Sequence, residues 1–493
     1  GLIGKVMTDS TTNGTYNTKT KFSYIFDGCQ ILGTKDASGN VTTPVKVTAP
    51  SAAGGLVGIF GSTIQGLYYY GGLIEVTNSK VDGLEVRSSI GSAAGLIGTI
   101  GTLVYSETNF SKNELTNMSL VATTTSGSNV GGLVGTYIPV QSIPSVLSER
   151  HTMTVSENKV SNSTMTSLAD FNTAHEHGIG GLIGLIYLKD TNDTGSTFTF
   201  DKNTVEDVTL GQWVDGSGNT QIANNPVGGL VGVNYGDKLL ISDCTVRNTV
   251  APTDATAAIF TTKGTDIGGL VGSMKARYCT VDYSHTADLT TESELSGGID
   301  ADIENLRIVG VQGEETDAEK NRGTRIGGVF GSTSGTNRSL LISDVKVKDC
   351  SLTTTTTWVS ENQARCGAGG LIGIISTLND PTGTNIEVQF NNILVAGSDV
   401  TGYGSGGLVG INRIPVADGY NITAQNIAVR QSNFLGQGAG GVFGIDLSLG
   451  KDKTNNYKNI IIDENKIAGV QSTYAYAWAG GFTGRANSSG LAN

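Results

Sequence analysis

Charge, aromatic rings and proline are all scarce in this chain of 493 residues. Charged residues make up 15% and aromatic residues 6%, with 8 Pro, 5 Cys, 4 His and 3 Trp. An average globular chain is about 25% charged. Disorder needs low hydrophobicity together with high net charge, and a 38% hydrophobic chain with so little charge does not meet that condition. The net charge is −12 and no Lys/Arg cluster occurs. Nucleic acids and anionic membranes are both bound through clustered basic residues, so neither is an expected partner. No apolar run approaches the ~18 residues of a membrane helix, so no membrane insertion is expected from this segment. Four His argue against a His-based enzyme.

Abundant instead are Gly, at 70 residues, and the uncharged polar residues Thr, Ser and Asn. The glycines are organised. The string Gly54-Gly55-Leu56-Val57-Gly58 returns as Gly131-Gly132-Leu133-Val134-Gly135, Gly228-Gly229-Leu230-Val231-Gly232 and Gly406-Gly407-Leu408-Val409-Gly410. Eight further variants bring the total to twelve, spaced 34 to 59 residues apart. A period in that range marks a solenoid, propeller or array.

A second motif lies between these anchors, as in Met153-Thr-Val-Ser-Glu-Asn-Lys-Val160 and Phe198-Thr-Phe-Asp-Lys-Asn-Thr-Val205. Its apolar positions step by two, three and two. A step of two is a strand with one buried face; a step of three reverses parity, so the backbone must turn a corner. The residue after that corner reads Cys29, Ser79, Asn113, Asn158, Asn203, Cys244, Cys279, Leu306, Val345, Asn391, Ile427 and Asn465. Five of the twelve are Asn, whose stacked amides can satisfy one another along an inner ladder. Asn113, Asn158, Asn203, Cys244, Asn391 and Asn465 are therefore the expected ladder residues.

These features predict an all-β fold, a right-handed parallel β-helix (β-solenoid) of about twelve coils with long loops. Residues 1–493 read as a single repeat solenoid, irregular around 280–327. At ~4.8 Å per coil the rod is roughly 55–60 Å long. A propeller is the alternative, but it needs four antiparallel strands per repeat, and tight Asn-Gly or Asp-Gly hairpins are sparse. In the anchors, adjacent Leu and Val are expected on opposite strand faces, which predicts an outer apolar stripe covered by loops or by another subunit. The chain opens at Gly1 inside one anchor and ends soon after another, as expected of a stretch of a longer protein.

The run from Gly228 to Gly236 followed by Leu240-Ile-Ser-Asp-Cys-Thr-Val246 resembles the GLUG repeat. That repeat occurs in large bacterial surface proteins and in the non-catalytic part of some secreted immunoglobulin A peptidases. The resemblance covers nearly the whole chain through its anchors. It departs from the family in Thr-rich insertions such as Thr353 to Thr357, and in anchors carrying Val-Phe. It implies an adhesin-like, extracellular or cell-surface shaft or filament.

Catalytic signatures are missing: no Gly-x-Ser-x-Gly elbow, phosphate-binding loop or His-Glu-x-x-His occurs. His175-Glu-His177 would put two imidazoles on one strand face, but a solvated loop pair is the plainer reading. Asp190-Thr-Asn-Asp-Thr-Gly195 partly imitates a calcium loop, although Thr194 stands where Asp or Asn belongs. No cofactor is expected, with calcium as a weak option. Cys29, Cys244 and Cys279 read as buried thiols; Cys350 and Cys366 are open between thiols and a disulfide. Tyr69 and Trp478 mark the two aromatic clusters able to stack on sugar rings. The expected role is non-catalytic and structural, with other subunits of the same protein or a host or neighbour-cell surface as partner. A carbohydrate-active or glycan-binding β-helix is the alternative.

Overall fold

The structure, a computed structural model, describes residues 2–6, 10–11, 22–61, 68–69, 72–101, 106–123, 128–138, 150–168, 177–188, 195–263, 265–285, 288–291, 302–311, 324–334, 339–354, 366–376, 386–413, 420–447, 455–470 and 477–486. Within these, the side chains of Ser10, Thr11, Phe22, Tyr68, Tyr69, Ser334, Ile386 and Tyr420 lie outside the description. No α-helix occurs among the described residues. The chain is a parallel β-helix built from stacked coils.

One coil shows how the sequence makes the fold. Its strands are Gly72–Thr77, Lys80–Ser88, Ala93–Ala94 and Ile97–Gly101. Ile74, Val76, Ser79, Val81, Leu84 and Val86 are all buried. Between Val76 and Ser79 the backbone passes through Asn78 at φ 51°, and between Val81 and Leu84 through Gly83 at φ 77°. A single left-handed residue turns the chain and swaps the parity of the pleat. Each coil of this kind therefore has two such corners, where the sequence pattern shows one.

Among the described residues, all sixteen non-glycine residues with positive φ stand at such corners, and eleven of them are Asn or Asp. Those two types reach the left-handed region most easily after Gly.

The chain forms two compact units, Gly1–Leu240 and Ile241–Asn493. In the first, the anchor strands Ile3–Val6, Val57–Gly61, Ile97–Gly101, Val134–Ile138, Ile183–Ile186 and Val231–Asn234 lie side by side, each parallel to the next. In the second, the corresponding set is Val271–Met274, Phe330–Ser334, Ile372–Ser376, Val409–Arg413, Phe443–Asp446 and Thr483–Ala486.

The anchors differ from expectation in one respect. Gly55 and Leu56 form a bend rather than part of a strand, so the alternation of faces does not run through the Leu-Val pair. Leu56 is 1% exposed and Val57 0%, and the same pair is buried in the coils that follow as far as Val442 and Phe443, with Phe482 and Thr483 of the last anchor half-buried. There is no outer apolar stripe of anchor residues to cover. The second glycine has a steric reason: a Cβ on Gly55 would strike the carbonyl oxygen of Gly95, and one on Gly132 that of Gly181, in the neighbouring coil.

Two antiparallel hairpins leave the first unit, Thr34–Lys35 with Val41–Thr43 and Gln212–Val214 with Thr220–Ile222. Both turn through Asp-x-Ser-Gly-Asn, Asp36 to Asn40 and Asp215 to Asn219. Asp36 Oδ1 accepts from the N–H groups of Ser38 and Asn40 at 2.9 Å each, and Asp215 repeats this with Ser217 and Asn219 at 2.8 and 2.9 Å. The shared five-residue string was the available signal for these hairpins.

Candidate functional site

Along the first unit the corner residues form a continuous hydrogen-bonded ladder. The Ser79 N–H donates to Asn113 Oδ1 at 3.0 Å, the Asn113 N–H to Asn158 Oδ1 at 3.1 Å, and the Asn158 N–H to Asn203 Oδ1 at 3.1 Å. Each amide nitrogen also reaches back to a carbonyl: Asn113 Nδ2 to Val76, Asn158 Nδ2 to Phe110 and Asn203 Nδ2 to Val155, at 2.8, 2.9 and 2.7 Å. The left-handed residue still donates to the next coil's backbone, as Lys112 does to the Ser156 carbonyl, but the N–H of the residue that follows is met by the next coil's side-chain amide.

The second unit carries its ladder at the other corner. The Cys350 N–H donates to Ser398 Oγ at 3.2 Å, the Ser398 N–H to Ser432 Oγ at 3.1 Å, and the Ser432 N–H to Asn465 Oδ1 at 2.9 Å. Asn465 is thus a ladder residue of the second corner, not of the first. Asn391 is no inner-ladder residue. It precedes the left-handed Asn392, and its Oδ1 accepts from Gln425 Nε2 at 2.9 Å in an exposed contact; Ile393 is the buried residue there. Cys279 also shifts: it lies inside strand Tyr278–Asp282, where it pairs with Leu340, and not directly after a corner. A step of three occurs at both corners, so from this coil onward the pattern reads equally well in either frame. Cys244 is buried directly after the left-handed Asp243.

Among the anchors, Gly58, Gly135, Gly232 and Gly410 each face the backbone or first side-chain atoms of an adjoining segment, with no room for a Cβ. A Cβ on Gly407 would strike the Gly441 carbonyl oxygen, and one on Gly181 that of Gly229. These residues hold coils together and carry no reactive group.

All five cysteines are free thiols, so Cys350 and Cys366 do not form a disulfide. Cys350 Sγ donates to the Lys348 carbonyl at 3.1 Å, whereas Cys366 sits in an apolar cluster with Ile374 and Tyr403. Burial pushes the Cys350 thiol up to about 12 and the Cys279 thiol higher still. A thiol so protonated is a poor nucleophile.

Trp478 is half-buried with the Arg485 guanidinium 4.5 Å from its ring centroid, so a cation covers one face. Tyr69 belongs to a short strand paired antiparallel with Ser10–Thr11, and its side chain lies outside the described residues. His175 and residues 190–194 also lie outside them. Among the described residues no cluster of three or more His, Cys, Asp or Glu is placed to hold a metal. One group of acids does stack: burial raises the Asp282 carboxyl, helped by the nearby Asp344 and Asp243 charges.

A pocket of about 290 Å³ opens in the first unit. One wall is the anchor-strand column Ile59, Thr99, Thr136 and Leu185, which pair in register from coil to coil. The facing wall comes from segments entering the short strands, with Ala52, Gly91, Ser92, Asn129 and His177. Its polar atoms engage one another: Ser92 Oγ and Thr136 Oγ1 lie 2.5 Å apart, Asn129 Nδ2 donates to Thr136 Oγ1 at 2.8 Å, and the Gly178 N–H donates to Asn129 Oδ1 at 2.7 Å. What faces the cavity is consequently mostly hydrocarbon. Of these residues the sequence singled out His177 alone, as part of His175-Glu-His177; the others come from coils about 40 residues apart and carry no reactive group.

No protein-family profile matches this chain, and neither a curated protein nor a solved structure matches it.

Proposed function

We propose that this chain is a non-catalytic structural repeat region of an extracellular surface protein, of the GLUG type, serving as an adhesin shaft or filament subunit. The observation that carries the reading is the unbroken ladder from Ser79 through Asn203, in which corner N–H groups and side-chain amides are engaged from coil to coil. Such a stack resists bending, because each coil is hydrogen-bonded to its neighbours through several paired strands as well as through the ladder. The buried, protonated thiols and short, occupied polar networks fit a mechanical part better than a reactive one. Its partners on this reading are further subunits of the same protein or another cell's surface. Among the described residues, the Asp243, Asp282 and Asp344 group favours a carbohydrate-active β-helix instead, since a carboxyl raised above its ordinary value, as at Asp282, can act as an acid.

Electron microscopy of the purified chain over a concentration series tests the reading. Straight rods or ordered fibres are expected. Cleavage of a neutral or acidic glycan that is lost on Asp282→Asn would overturn it in favour of the enzyme.

A further inference from the structure

Within the second unit, one coil leaves the repeat at its first corner. Its strand Tyr278–Asp282 ends there, and its next strand, Ile303–Glu304, begins only after a long excursion. In the coil built above, Asn78 and Ser79 alone separate the equivalent strands. The Tyr283 hydroxyl donates to the Cys244 carbonyl at 2.6 Å in the preceding coil, and His285 Nε2 lies 3.0 Å from Asp302 Oδ1, where the excursion rejoins its own coil. Leu289 and Thr290 reach further along the unit. The Leu289 N–H donates to Asn392 Oδ1 at 2.8 Å, and Arg430 Nη2 donates to the Thr290 carbonyl at 3.0 Å. Asn392 and Arg430 belong to strands Ile386–Ala396 and Tyr420–Arg430. Strand Ser339–Lys348 lies between Tyr278–Asp282 and the first of these, pairing with both.

The sheet face beneath Leu289 matches it. Lys346, Leu394, Ala428 and Ile461 follow one another in register. Each stands between two inward aliphatic residues, as Leu394 does between Ile393 and Val395, so each points outward. Leu394 and Ala428 are nonetheless 0% exposed, in one cluster with Leu289 and Ala396 against which Ile461 also packs. In the first unit the corresponding outward column is Lys80, Glu114, Lys159 and Thr204, and its charged members are exposed. Aliphatic residues take the place of charge where Leu289 lies over the sheet.

We infer that residues 283–285 and 288–291 are a strap that locks strands Ile386–Ala396 and Tyr420–Arg430 to the coil of Tyr278–Asp282, across the coil between. A solenoid whose coils touch only their neighbours loosens locally. Leu289 and Thr290 add bonds that skip strand Ser339–Lys348. Opening either of the strapped strands means losing the buried Leu289 contact and the hydrogen bonds at Asn392 and Arg430. Once those are lost, the other strand has lost its cover as well. The strap is therefore a coupling between coils that the strand ladder by itself does not provide.

Hydrogen exchange of the whole chain, read by mass spectrometry, tests this with Leu289→Ser. Strands Ile386–Ala396 and Tyr420–Arg430 are both expected to exchange faster by about tenfold or more, as the loss of one buried leucine contact implies. Strands Thr152–Ser156 and Thr197–Asp201 of the first unit should keep their wild-type rates. Ala428→Lys puts under Leu289 the residue type that Lys80 and Lys159 place on the same face of the first unit, and should release the Leu289 amide to exchange. Should Leu289→Ser fail to fold, Leu289→Ala removes less of the contact and is read in the same way. The inference is overturned if the Leu289 variants speed exchange only within residues 283–302, if one of the two strands responds without the other, or if both units speed alike. An unchanged Leu289 amide in Ala428→Lys would overturn it too.

Discussion

Asn158 concentrates the chemistry of the corner in one side chain. Its Oδ1 accepts from both the backbone N–H and the Nδ2 of Asn113, while its own Nδ2 donates to the carbonyls of Phe110 and Ser156 and to Asn203 Oδ1. A buried polar group left without a partner costs about 1–3 kcal/mol. Asn158→Leu keeps the volume but orphans the Asn113 N–H and the Phe110 carbonyl, so a loss of roughly 2–4 kcal/mol is expected. Urea unfolding measures it, and a loss under 1 kcal/mol would mean that the ladder relaxes around the gap. The position was legible in the sequence because Asn recurs after a parity step. Asn391 was misplaced for the same reason, since it too follows apolar residues at spacing two, and only the φ of Asn392 separates them.

At the scale of elements, the first hairpin is tied to the coils by one carboxylate. Asp82 Oδ2 lies 2.5 Å from Lys35 Nζ, and Asp82 Oδ1 accepts from Asn117 Nδ2 at 2.9 Å. Burial acts to raise the Asp82 carboxyl, but the Lys35 and Asn117 hydrogen bonds and the Lys35 and Lys80 charges outweigh it and leave it below its ordinary value. A carboxyl lowered in the folded state stabilises above its unfolded pKa, near 3.9, and that contribution is lost as pH falls through the folded value. Lys35→Gln should therefore be less stable than wild type at pH 5, with the gap closing towards pH 2. The gap is expected to be small, since Lys35 is partly exposed and solvent screens the pair. Chemical denaturation at stepped pH reads both curves; a gap that persists at pH 2 would assign the difference to packing of the lysine stem.

For the whole molecule, a solenoid's stability is a sum of nearest-neighbour terms, so damage to one coil spreads to its neighbours and fades beyond them. Gly132→Val places side-chain atoms against the Gly181 carbonyl. Hydrogen exchange should then show lost protection in strands Ile97–Gly101, Val134–Ile138 and Ile183–Ile186, with strands Ile372–Ser376 to Phe443–Asp446 unchanged. Uniform loss across both units would instead indicate a single cooperative structure.

The sequence by itself determined that the chain is a stack of parallel coils. Periodicity and parity are properties of neighbouring residues, and the step from Val155 to Asn158 forces a corner wherever the strand is packed. The anchor glycines were legible too, as repeated strings. Tertiary structure alone decided which corner a residue occupies from coil to coil, that Leu56 and Val57 are both enclosed, and that Ile59, Thr99, Thr136 and Leu185 together line a pocket. Those outcomes depend on the sign of one φ angle and on side chains a full coil away in sequence, and no local pattern encodes either.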